Sequence, residues 1–163
     1  GTVGTGAVTV ELYKGTTSIK GSTTAFTVSD AVAGDNILGE EGVSVKVTAK
    51  GTGVYLRAKI TVDASKVEGA IKLTANDFTI TKAAGWSNPI EGYYYYGTSA
   101  TDLTEVAESE VSKADGITIA LATGIELATT SNAQNNTGVT VTIKVEAVQS
   151  ANQGKNSAPI AWN

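Results

Sequence analysis

Three stretches of the chain alternate apolar and polar residues with a period of two. In 42–50, GVSVKVTAK, Val43, Val45, Val47 and Ala49 share one face and Ser44, Lys46, Thr48 and Lys50 the other. In 53–63, GVYLRAKITVD, Val54, Leu56, Ala58, Ile60 and Val62 point inward, while Tyr55, Arg57, Lys59, Thr61 and Asp63 point out. In 139–149, VTVTIKVEAVQ, the inward set is Val139, Val141, Ile143, Val145 and Ala147. Alternation of this length predicts strands in a sheet with one buried face. Shorter runs at 7–13, 24–28, 71–73, 78–81, 93–96, 117–121 and 124–127 predict further strands. Turn chemistry separates them at 33–36 (AGDN), 50–53 (KGTG), 114–116 (ADG) and 135–138 (NNTG).

About eight to ten short strands with frequent turns predict an all-β chain, a two-sheet sandwich of jelly-roll or immunoglobulin-like form. One segment resists this reading. In 100–113, ATDLTEVAESEVSK, Leu103, Val106, Ala107, Glu110 and Val111 recur at helical spacing. A short surface helix near 101–112 and an irregular crossover fit it equally well. No internal repeat or linker is visible, so 1–163 reads as a single domain, with 1–12 as an extension able to act outside it.

Composition changes the picture mainly by exclusion. The chain has 163 residues and no Cys, His or Met. That removes thiolate nucleophiles, Ser-His-Asp triads, His- or Cys-ligated zinc and iron–sulfur clusters. With a formal net charge of −4 and no Lys/Arg-rich block, nothing offers the basic footprint of a nucleic-acid binder. No apolar run is long enough for a membrane span. The glycine at position 1 suits a processed or trimmed N-terminus, and few charges with many Thr, Asn and Gly suit an exported structural protein.

Candidate chemistry is sparse. The run EGYYYYG, 91–97, sends Tyr93 and Tyr95 to one face of a strand and Tyr94 and Tyr96 to the other. The plain reading is one aromatic pair in the core and one on the surface. The alternatives are aromatic anchors at a protein contact, or a sugar platform including Trp86. Carboxylates at Asp30, Asp35, Glu40 and Glu41, and at Glu105, Glu108 and Glu110, admit calcium, although no 12-residue calcium loop is present. No cofactor is called for otherwise. Asn135-Asn136-Thr137 matches a glycosylation acceptor and marks an exposed turn. The leading GTVGTG runs into alternating AVTVEL, which suits either a frayed tail or a strand added to a neighbour.

Four of these stretches together resemble the TasA/CalY (camelysin-like) family of exported proteins of Gram-positive bacteria, which has fibre-forming archaeal relatives. They are TVGTGAVTVELYK (2–14), VAGDN with VSVKVTAKGTGVYLRAKITVD (32–63), GWSNPIEGYYYYG (85–97), and TVTIKVEAVQ with Ala161-Trp162. Ala33 stands where the family commonly has Pro, and Glu91-Gly92 where it has Asp-Gly. The resemblance implies a secreted jelly-roll subunit that polymerises into extracellular or biofilm-matrix fibres by donor-strand complementation. The partner is then the chain itself, with cell-surface or matrix components as further contacts. Val3, Val8, Val10 and Leu12 are the expected inward groups of the donated strand. Camelysin-type relatives have been labelled metallopeptidases, but a chain without His has no H-E-x-x-H ligands, so a non-enzymatic protein is expected. The rival class is a secreted carbohydrate- or ligand-binding sandwich. It needs Trp86 and the tyrosines exposed on one surface.

Overall fold

The computed structural model describes residues 8–19, 21–63, 75–129, 137–152 and 160–162. In chain order the strands are β1 (Thr9–Lys14), β2 (Thr17–Ser18), β3 (Thr23–Ala31), β4 (Val43–Thr48), β5 (Val54–Asp63), β6 (Phe78–Lys82), β7 (Tyr93–Tyr95), β8 (Gly97–Ser99), β9 (Asp102–Leu103), β10 (Ile117–Leu127) and β11 (Thr137–Gln149). The one α-helix among the described residues, α1, is the single turn Glu108–Val111.

The strands form two main sheets. Sheet A has the order β2-β1-β4-β10-β6 and sheet B the order β3-β11-β5-β7, all pairs antiparallel. From β2 to β7 the chain changes sheet at every step, and after the small β8-β9 hairpin it does so again from β10 to β11. This wrapping makes the sandwich jelly-roll-like.

The inward residues of the three alternating stretches meet between the sheets. Val45, Val47, Val54, Leu56, Ala58, Val139, Val141 and Ile143 are completely buried there, with Leu121, Ile125 and Leu12 from the other strands. The strand at 139–149 extends two residues further back, to Thr137. The candidates at 117–121 and 124–127 are one strand, β10. Register shifts between Ala120 and Ala122 and between Ala122 and Gly124 interrupt its alternation, and that interruption made the sequence read as two pieces.

The 100–113 segment contains the predicted short helix as the single turn 108–111, preceded by irregular and paired chain. Leu103 sits in β9, Val106 exchanges two backbone hydrogen bonds with Val54, and only 108–111 coils. Tertiary contacts to β5 override the helical spacing ahead of it. The predicted strand at 71–73 lies outside the described residues.

Candidate subunit interface

Strand β1 lies second from one edge of sheet A. It pairs with β4 from Thr9↔Thr48 to Lys14↔Val43, and on its other side with the two-residue β2. Leu12 is fully buried in the core, and Val8 and Val10 pack partly buried against it. The Leu12 N–H donates to the Gly21 carbonyl, and the Ile19 N–H donates to the Leu12 carbonyl. The strand expected to fill a neighbour therefore completes its own sheet in the single chain. Val3 lies outside the described residues. Gly15 and Thr16 alone join β1 to β2, and Gly15 takes φ +61° to make the turn.

The other sheet margins differ. The far edge of β7 is covered by its own upstream loop. Ser87 and Tyr95 bond through both backbone and side chain, Gly97 donates to Gly85, and Ile90 pairs with Tyr93. Strands β6 and β3 end their sheets as outermost members. Beside the end of β6 lies a groove of about 390 Å³ lined by Lys82, Gly85, Trp86, Asn88, Thr98 and Thr104 among others.

The tyrosine run obeys its predicted alternation. Tyr94 enters the core, and Tyr96 packs edge-on against Trp86 with ring centroids 5.2 Å apart. Trp86 is only 2% exposed, and its indole N–H donates to the Ala120 carbonyl at 2.7 Å. Burial pushes the Tyr94 hydroxyl pKa up. Tyr93 and Tyr95 lie on the outer face of sheet B. There Arg57 sits with its guanidinium carbon 4.0 Å from the Tyr93 ring centroid and 4.9 Å from that of Trp162. Trp86 and Tyr94 are buried, so Trp86 and the four tyrosines are not all exposed on one surface.

Around Arg57 is a second small core that parity alone did not announce. Tyr55, Tyr95, Leu103 and Val148 are buried in it, with Tyr93, Ala100, Ile160 and Trp162 packed around them. Arg57 donates to the buried Glu146 carboxylate at 2.9 Å, and Lys144 approaches the other Glu146 oxygen at 3.5 Å. Burial opposes the Arg57 charge, but Glu146 and Tyr95 outweigh it, so its pKa rises. Burial, and then the charge of Glu105, raise the Tyr55 pKa. Among the described residues the buried Arg57 Nε has no hydrogen-bond partner. Arg57 and Glu146 are directly opposed on β5 and β11, a cross-strand pair that the two alternating stretches contained but did not reveal without a register.

The acidic loops show local roles. Asp35 accepts from the Val32 N–H at 2.9 Å, and Glu110 pairs with Lys113 at 2.8 Å. Among the described residues no group of three or more carboxylates is gathered around a metal-sized point. Asn135 and Asn136 of the glycosylation tripeptide lie outside the described residues. Compared with protein-family models, curated proteins and solved structures, the chain matches none.

Proposed function

We propose that this chain is a non-catalytic structural subunit of an extracellular filament, joined head-to-tail by donation of its N-terminal strand. The observation that carries this reading is the position of β1. It lies next to the edge of sheet A, covered on its outer side only by the two-residue β2 and the turn residues around it, and it has one deeply buried anchor, Leu12, and runs into β2 through a two-residue turn. The slot it fills against β4 suits an identical strand from another copy equally well, because contacts made within a chain and between chains are then the same. Exchange costs little beyond re-aiming the Gly15 turn, the kind of short hinge at which swapping begins. A contact between β1 of one copy and β4 of the next, given in one direction only, is heterologous, and it extends into a filament where the rotation between copies closes no ring. Burying Leu12 contributes about 1.5–3 kcal/mol, and ladder hydrogen bonds add to it. Secretion, and contact with cell-surface or matrix components, belong to the same reading.

Deleting residues 1–12 tests it. Expected is a soluble, less stable monomer that grows no filaments by negative-stain microscopy. A synthetic peptide of residues 1–14, added in excess, should restore thermal stability without restoring growth. Filaments of normal length from the truncated chain would rule strand donation out. Val10→Asp should act in the same direction, because it places an unpaired charge in a half-buried slot.

A further inference from the structure

The second core on sheet B is closed by a segment remote from it in sequence. Ile160 and Trp162 pack on Tyr55, Tyr95, Leu103 and Val148. The Trp162 ring lies 6.0 Å from that of Tyr95 and 4.9 Å from the Arg57 guanidinium. The site is built for a ring. Arg57 is fixed from one side by Tyr93 and held at its tip by Glu146, so it offers a flat cation to whatever stacks on its free face. Leu103 and Val148 supply an apolar floor beside it.

We propose that this slot recognises the Ile160-Ala161-Trp162 segment as a peptide, and that a second copy of this chain supplies the segment as well as the chain itself does. Two observations make the docking reversible. Ile160 and Trp162 remain only half-buried in the slot. Among the described residues the docked arrangement also leaves the buried Arg57 Nε without a partner, a cost that weakens the clasp at its centre. Residues 153–159 connect the segment to the sandwich, and seven residues can reach about 25 Å when extended. Dilute protein keeps its own segment in the slot, and crowded copies exchange it. The slot is on sheet B and β1 in sheet A, so this exchange stands or falls separately from strand donation.

The test uses the full chain carrying Trp162→Ala, which empties the slot, and a fluorescently labelled peptide of residues 156–163. Anisotropy should show saturable binding at least tenfold tighter than to the unaltered chain, whose slot is already filled. Adding Arg57→Ala to the Trp162→Ala chain should abolish binding. Tyr93→Ala, which keeps the ion pair but removes the ring supporting it, should weaken binding if Arg57→Ala fails to fold. The second-copy claim has its own readout. Unlabelled full chain carrying only Arg57→Ala has an intact segment and a disabled slot, so it should displace the peptide; the Arg57→Ala, Trp162→Ala double variant should not. A folded Trp162→Ala chain that binds no peptide would overturn the proposal, as would binding that survives loss of Arg57. Failure of the single-variant competitor to displace the peptide would overturn exchange between copies.

Discussion

The two sides of sheet B are packed by different means. On the inner side, aliphatic residues from both sheets interdigitate in a dry layer, with Val54, Leu56, Ala58, Val139, Val141 and Ile143 all completely buried. On the outer side a smaller cluster arranges aromatic rings around one cation, drawn from β5, β7, β9, β11 and residues 160–162. The inner layer is nondirectional and large, and its strength comes from area. The outer one depends on a few placed groups, and it includes a charge that must stay paired. The first is suited to holding a fold and the second to being opened and closed.

The inner layer should respond most to truncation. Leu121→Ala, at a fully buried position in the centre of β10, is expected to cost about 2–5 kcal/mol, read as a lower denaturant midpoint at unchanged slope. Leu12→Ala should cost less, because β1 is backed on its outer side only by the short β2 and can settle into the space. If it costs as much as Leu121→Ala, β1 is as firmly held as a central strand and exchange through it is disfavoured.

The outer cluster should respond next, and to charge more than to volume. Glu146→Ala strands Arg57 among rings, and an expected loss of about 1–3 kcal/mol follows from the uncompensated donor. Access of water to the Arg57 side chain, which is 19% exposed, keeps the figure below that for a fully enclosed pair. Replacing both partners with apolar residues of similar size, Arg57→Met with Glu146→Leu, should restore most of the loss. Trp162→Ala should be milder still, about 1 kcal/mol, because the ring is only half-buried. A Trp162→Ala loss as large as that from Leu121→Ala would make the outer cluster part of the main core and remove the distinction.

This contrast also explains what was legible in the sequence. Period-two alternation assigned each side chain of 42–50, 53–63 and 139–149 to a face, and the inward sets are buried except for Val62 and Ala147, which are half-buried at the strand ends. Parity reports direction, not cover. Tyr55 points outward as read, yet it is 5% exposed, because Leu103 and the segment at 160–162 lie over that end of sheet B. Glu146 and Val148 are buried for the same reason. The outer cluster assembles residues from 55 to 162, and no local window contains more than two or three of them. The tyrosine run was readable as a strand with two aromatic faces. That one face would hold Arg57 against Trp162 was not, since it needs the register of β5 against β7 and β11. The helical spacing at 100–113 marked a real helix, α1, but the structure confines it to 108–111 because Val106 is fixed by β5 instead of by its own neighbours.

The smallest effect separates the two sides by pH. Tyr94 on the inner side and Tyr55 on the outer have pKa values raised above the usual 10.0. The folded chain then holds these protons at a pH where the unfolded chain has begun to release them. Stability is accordingly fully present below about pH 10 and declines as pH rises through the folded values. Tyr94→Phe or Tyr55→Phe should each flatten part of that decline in melts taken across the alkaline range. The causes differ, and salt should tell them apart. Burial alone raises Tyr94, with no neighbouring charge for added salt to screen. Tyr55 is raised by burial and then by the exposed Glu105, whose field added salt screens. Raising ionic strength should therefore lower the Tyr55 titration and leave that of Tyr94 in place. Equal movement of both would mean that water and ions reach the inner tyrosine, and that the layer between the sheets is not closed at its β7 end.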